Sequence, residues 1–582
     1  MAELTAAEIW QEYQDGLDYH SSMNFPKKWS EYQRFINGDQ WPAPTEATKN
    51  LPRPVFNICQ MITTQKSANV LNENLTMQFS PQEIAENGME DELIQRATEG
   101  AKKFTDYSKT LWERIDQPQL NENAIEDAVS LGTCVWHYYW NNSIKGGIST
   151  QYIGEIEGEI IDPSNIFFKN PKCQDVQKQP SIIIANDLLV TEVREMAKNN
   201  EVSSEDIAKI QSNEEVNKGK IYDADKTEVK NGGRVTLLTR YYKKNSRVYF
   251  TKSTENVIVQ KETDLGAGSE KGFTLYPIEI MTWYKRKKCI YGIGEIEGLI
   301  PNQKAINFNI GMMLLSVQET AWPKIYAKLG ALDQQITNTP GEVIIDKLAN
   351  GNDNIHFMQP PNFSYMAINI VDKIVDTTRM VSGVTEVATG EKIGASIAAA
   401  AIIALQNQAK VPIEAIQKRY YRSQKRIGRI WEEFYKIRYN MERNVVIKDA
   451  ENNSIPMRFT GSDYADMNFD LKIDVGPSSQ FSESLAMATL DKLYDRQAID
   501  TDIYIELAPD NVIPFKQRLK KILAEKRAAM LPPAGGIDVN KIVAQLTPEE
   551  RAAVQANPAL LNQVIGGGTN GLMPALPNVA NG

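Results

Sequence analysis

The spacing of apolar residues changes character several times along the chain, and each change predicts a change of element. Residues 1–36 read as helical and end at FINGDQWPAPTEATKNLPRP, where Gly38, Pro42, Pro44, Pro52 and Pro54 forbid a regular element. Ile58, Ile62 and Leu71 predict a helix over Phe56 to Asn74, with Asn57 as its start signal. Further helices are predicted from Glu90 to Leu111 and from Asn121 to Leu131, the latter stopped by Gly132. TCVWHYYW (Thr133 to Trp140) is then β-branched and aromatic, and EIEGEII alternates apolar with acidic residues, the period of a half-buried strand. DPSNIFFKNP is bracketed by turn formers, and residues 188–225 read as helical and polar. RVTLLTRYY, RVYFTK and TLYPIEIMTWYK read as strands.

From Glu295 the period is helical again, up to Ala321, where Pro323 ends it; at 1.5 Å per residue that helix is about 40 Å long. One side carries Ile296, Leu299, Ile300, Ile310, Met313, Leu314 and Val317, and the other is lined with the neutral amides Asn302, Gln303, Asn307, Asn309 and Gln318. Residues 322–362 read as a small insert, PKIYAKLGAL as a helix fragment followed by two or three strands. A second helix from Phe363 to Val381 places Phe363, Met366, Ile370 and Ile374 on one face and Asp372, Asp376 and Arg379 on another. A further helix runs toward Asn440, with mixed strands near 445–475 and helices at Phe481 to Arg496 and Pro514 to Met530. The last 31 residues carry no charge and are rich in Asn, Gly, Pro and Ala, which predicts a mobile tail. The fold class expected is α+β.

A chain of 582 residues implies two to four cooperative regions, and nine tryptophans supply ample core. Cys59, Cys134, Cys173 and Cys289 lie far apart and there are three histidines, which argues against a structural zinc site or a disulfide framework and fits a reducing compartment. The N-terminal stretch lacks a signal-peptide core and the longest apolar run, Ile397 to Leu405, is too short for a membrane span, so a soluble protein with no membrane partner is expected. Net charge is −10, yet Lys285 to Lys288 reads KRKK and KRYYRSQKRIGR (Lys418 to Arg429) holds six basic residues in twelve. Such local basicity suits contact with nucleic acid at chosen places. Solvated helix faces explain it as well.

The enzyme signatures fail on spacing. In TGEKIGASIAAAAIIALQNQAK, Gly390 and Gly394 flank Lys392, no Gly stands directly before the Lys, and Glu391 repels phosphate, so no P-loop is formed. GIGEIEG (Gly292 to Gly298) has Glu297 where a dinucleotide fingerprint needs its third Gly; Glu295 and Glu297 suit the dipole of a helix start instead. Cys134 and His137, three apart in a strand, point to opposite faces and read as core. Glu155 and Glu157 read as an ordinary exposed strand face. No catalytic residue, metal site or cofactor is expected.

The pair WSEYQRFINGDQWP and RPVFNICQMITTQKSANVLNEN resembles the N-terminal region of tailed-bacteriophage portal proteins, the head-to-tail connectors. AIEDAVSLGTCVWHYYW, IIDPSNIFFKNP, YGIGEIEGLIPNQKAIN and MVSGVTEVATGEKIGASIAAAAIIALQNQA resemble further portal passages in the family's order, over roughly residues 28–440. The resemblance implies a ring-forming homo-oligomer, most often of twelve subunits, at one capsid vertex of the virion, assembled in the host cytoplasm. Double-stranded DNA would pass through its channel, driven by a separate terminase; the other partners implied are the major capsid protein, scaffold and tail adaptor proteins. It maps a wing onto 1–285, stem helices onto 286–321 and 363–381, a clip onto 322–362 and a tunnel loop onto 382–397. A long helix and return to the wing fall on 398–479, crown helices on 480–531, and a low-complexity tail on 532–582. Candidate channel residues are Thr389, Gly390, Glu391, Lys392 and Gly394, and a basic stripe of Lys418, Arg422, Lys425 and Arg429 would meet DNA or an acidic neighbouring subunit. Candidate contacts for terminase and adaptor are Lys324, Lys328, Asp333, Glu342, Asp346 and Lys347. The alternatives are a terminase-like packaging ATPase, which would need a true Walker motif, and a DNA-free intracellular helical scaffold.

Overall fold

The computed structural model describes residues 4–46, 48–72, 75–82, 91–147, 152–212, 233–331, 355–358, 365–384, 399–448, 454–475, 490–496 and 498–508, together with 345, 347, 487, 519, 520, 522 and 523. The chain divides into two compact units, Met1–Glu483 and Ser484–Gly582.

The first unit opens with α1 (Ala6–Ser22), α2 (Phe25–Ile36) and α3 (Ile58–Leu71). The expected helical character of residues 1–36 is met by two helices: Asn24 adopts left-handed backbone (φ 57°) and Pro26 enters the first turn of α2, so the chain breaks and restarts. Asn57 caps α3 as expected, its side chain accepting from the Gln60 amide at 3.0 Å. Strand β1 (Leu75–Pro81) precedes α4 (Asp91–Arg114) and α5 (Gln117–Leu131), which Gly132 ends at φ 90°.

Strands β2 (Thr133–Gly146), β3 (Tyr152–Ile161), β4 (Ile166–Phe168) and β5 (Ser181–Leu189) follow. The stretch read as polar helix from 188 begins as the end of β5, and then forms α6 (Val190–Asn199) and α7 (Ser204–Lys209). Next come β6 (Arg234–Lys244), β7 (Arg247–Ser253), β8 (Ile258–Asp264) and β9 (Ile278–Thr282). Two antiparallel sheets result, of order β3-β2-β9 and β4-β5-β6-β7-β8. Cys134 and His137 are both buried in β2, as a strand buried on both faces allows.

Helix α8 (Glu295–Ala321) occupies the residues its periodicity predicts. Strands β10 (Ile325–Ala327) and β11 (Ile355–Phe357) pair antiparallel, so the expected helix fragment in PKIYAKLGAL is a strand. Helix α9 (Tyr365–Ser382) leads, beyond residues outside the described set, to α10 (Ala399–Arg438). The unit closes with β12 (Arg443–Lys448) paired to β13 (Ser454–Phe459), and β14 (Phe469–Val475) returning to pair with β1.

The C-terminal half of α10 runs through the middle of the core. Trp431, Phe434, Tyr435 and Tyr439 are fully buried, and around them Tyr107 stacks on Phe459 at 4.1 Å while Phe104 meets Tyr435 edge-on at 5.4 Å. In the second unit, Asp500 caps α11 (Thr501–Leu507), and the Tyr504 hydroxyl donates to Asp491 at 2.6 Å. The predicted helix from Pro514 to Met530 and the uncharged tail lie mostly or wholly outside the described residues.

Candidate nucleic-acid and partner interface

The glycines of GIGEIEG serve close backbone packing. A Cβ on Gly292 would strike the carbonyl of Gly132, and one on Gly294 the carbonyl of Ser130, so the end of α5 and the entry to α8 touch main chain to main chain. Both acidic side chains of the first turn are occupied. Glu295 is buried, pairs with Lys66 at 2.7 Å and accepts from Trp283 Nε1 (3.0 Å) and the Tyr284 hydroxyl (2.8 Å). Glu297 pairs with Lys28 (3.0 Å) and Arg286 (3.3 Å); burial pushes its carboxyl up, but these partners outweigh it and hold it below the ordinary carboxylate value. A pyrophosphate has no place at this helix start.

Helix α8 changes environment along its length. Ile296, Leu299, Ile300 and Ile306 are buried, and the amides expected to line a free side are partly inside: Gln303 and Asn307 are 1% and 2% exposed. Gln303 accepts from the Ile58 amide (3.0 Å) and donates to the Phe56 carbonyl (2.7 Å) and Asn307 (2.9 Å); Asn307 donates to Gln40 (2.6 Å). Gln303 satisfies the backbone at the start of α3, and Asn307 ties it to Gln40, so both amides are spent inside the chain. Asn302 donates to the Thr378 hydroxyl of α9 at 3.0 Å and Asn309 to its own helix, which leaves Gln318 exposed.

Beyond Gly311 the helix loses its cover. Val317 and Trp322 are 64% and 70% exposed, and on α9 Met380 and Val381 are 69% and 79% exposed. The buried side of α9 is Val371, Thr378 and Ser382, whereas Ile370, expected on the apolar face, is exposed. An uncovered apolar surface of this kind marks a contact site.

Of the basic stripe on α10, Lys418 is exposed and pairs with Glu414 one turn back (3.2 Å). Arg422 and Lys425 are exposed. Arg429 is bound to its own chain, through Glu432 (2.9 Å), Asp470 (3.4 Å) and the Phe469 carbonyl. Among the candidate clip residues, Lys324 pairs with Glu319 at 3.2 Å, and Lys328 and Lys347 each have partners. Asp333, Glu342 and Asp346 lie outside the described residues, as do Thr389, Gly390, Glu391, Lys392 and Gly394.

Sequence reasoning missed Glu155. It is 4% exposed and joins β3 to α4, to β12 and to the residue just past α10, accepting from Tyr107 (2.8 Å), Arg114 (3.0 Å), Arg443 (2.8 Å) and Tyr439 (2.7 Å). Its place in an alternating strand carries no signal of this; the signal lies in Arg443, on a different strand. His137 is held through both nitrogens, by Glu159 (2.8 Å) and Tyr241 (2.9 Å), beside a cavity of about 430 Å³.

These features describe a chain with its own core, a partly uncovered long helix pair and an exposed basic face. The phage P22-like portal protein family matches residues 12–563, nearly the whole length. The chain belongs to that family. No curated protein matches it. The resemblance read from the sequence thus holds, and with it a mixed helix and sheet portal chain from a bacteriophage. Portal proteins are in general structural rather than enzymatic. No helix among the described residues of this portal chain is long and apolar enough to cross a membrane.

Proposed function

We propose that copies of this chain form a ring at the unique capsid vertex, through which double-stranded viral DNA is packaged and later ejected. The ring docks the terminase first and the tail adaptor afterwards. One observation carries the ring: the exposed apolar side chains of α8 beyond Gly311, Met312, Leu314 and Val317, together with Met380 and Val381 on α9, which the described residues leave uncovered. Neighbouring copies of the same helix pair supply the missing cover. The DNA path rests on membership of the portal family.

On this reading α8 and α9 are the stem helices, residues 322–362 the clip and 382–397 the tunnel loop. Residues 1–285 with the strands after α10 form the wing, and 480–531 the crown. Lys392 faces the DNA at the narrowest point, and the clip residues meet the motor and adaptor. A few lysines guide the duplex without the strong, salt-dependent grip that many phosphate contacts would create.

The experiment is to load virion heads with the Lys392→Glu chain and measure the DNA they retain. Heads with lowered DNA content support a channel-facing lysine, and unchanged packaging and retention refute that role. ATP hydrolysis by the purified chain would instead favour a packaging motor.

A further inference from the structure

The two basic runs of the sequence, more than a hundred residues apart, meet in space. Lys285 of the KRKK turn and Arg419, Arg422 and Arg426 of α10 line one cavity of about 100 Å³, floored by Ile280, Met281 and Thr282 of β9. We propose that this cavity binds a phosphate group.

The turn that carries Lys285 is held in place. Lys288 takes left-handed backbone (φ 53°), Gln174 donates to the carbonyls of Arg286 (2.8 Å) and Cys289 (3.3 Å), and the Ile290 amide donates to Pro171 (2.9 Å). Arg286 points away, to Glu297. On the helix side, Arg419 is anchored by the Trp283 carbonyl and Arg426 by the buried Glu279 at 3.3 Å. Lys285 and Arg422 have no ion-pair partner among the described residues. Two cations are therefore fixed and two are open, all around one small space.

Size and charge select the ligand. The cavity is well below the roughly 300 Å³ at which pockets for whole small molecules begin, so it takes one oxyanion group and not a nucleoside. Four cationic side chains face one carboxylate, Glu279, so the cavity keeps a net positive charge with Arg426 paired. Three guanidinium groups present planar donor forks that match a tetrahedral phosphate. A doubly charged phosphate balances this set better than a single carboxylate.

The phosphate is free in solution or belongs to a nucleic-acid backbone; the backbone source alone rests on the proposed DNA path. The test uses the full chain at fixed low ionic strength, titrating inorganic phosphate and following its phosphorus NMR line width. Saturable binding is expected, weakened by about tenfold or more in Arg422→Gln and again in Lys285→Gln. Both side chains are exposed, so an unchanged unfolding midpoint should accompany the loss. Displacement of the phosphate by a short DNA duplex identifies a backbone source, and failure to displace it identifies a free anion; both keep the site. Absence of saturable binding, or variants that bind like the parent, overturns it. So does a change of oligomeric state in Arg422→Gln with no phosphate binding, since a second copy's carboxylates would then be the occupant. Ring formation by the parent chain is read separately, so the site and the ring can fail independently.

Discussion

Glu155 and Arg443 form a buried pair at 2.8 Å, 5% and 1% exposed, with Arg443 also donating to the Gly154 carbonyl at 2.6 Å and Arg114 bound to the other carboxylate oxygen. Removing one partner leaves the other charge in the core, so Arg443→Met should destabilise the chain by about 3–5 kcal/mol in urea unfolding. His20 makes a second test. It sits among Phe25, Trp29, Phe167 and Tyr291, with Nε2 buried and unbonded, and burial lowers its pKa to about 3. The folded state therefore binds fewer protons than the unfolded one between pH 6.5 and about 3, and stability falls as pH drops through that window. His20→Leu should flatten this slope relative to the parent. Glu279 acts with opposite sign: its raised pKa gives a contribution present below 4.5 and lost as pH rises to about 8, so Glu279→Gln should remove that loss. None of these residues announces itself in the sequence, because burial of a polar side chain depends on partners from distant elements. Glu155 and Glu157 look alike in the alternating strand, and β12 decides between them.

Among the elements, the junction of α5 with α8 is the most constrained. Gly132 has φ 90° and a Cβ there would lie 2.6 Å from the Gly294 nitrogen, so Gly132→Ala carries both backbone strain and a main-chain clash. It should lower stability by more than about 1 kcal/mol, seen as a lower melting temperature. The glycines were legible in the sequence as a helix stop and a helix entry; that the two stack on each other was not. The long helix from Glu295 to Ala321 was legible to the residue, because many apolar positions agree on one period, whereas α4 runs three residues past the expected Leu111. The short strand Ile325–Ala327 was not, since three residues hold no period and its pairing with Ile355–Phe357 is made across thirty residues. The buried amide Gln303 escaped for a related reason. Hydropathy assigns an amide to the outside, while the open backbone at the start of α3 draws it in.

At the scale of the whole chain, family membership and the uncovered helix pair point to assembly. Val317→Glu and Met380→Glu place charges on surfaces that are exposed in the single chain. Each should leave the monomer folded by circular dichroism and shift sedimentation from a large assembly to single chains, because a buried unpaired carboxylate is costly at an interface. Most residues of the expected tunnel loop and of the expected clip lie outside the described set, so their roles rest on the order of motifs in the sequence and on the family match. The most direct test of the ring is electron microscopy of the purified full-length chain. Closed rings with a central hole wide enough for duplex DNA are predicted; monomers or open filaments under the same conditions would contradict the account.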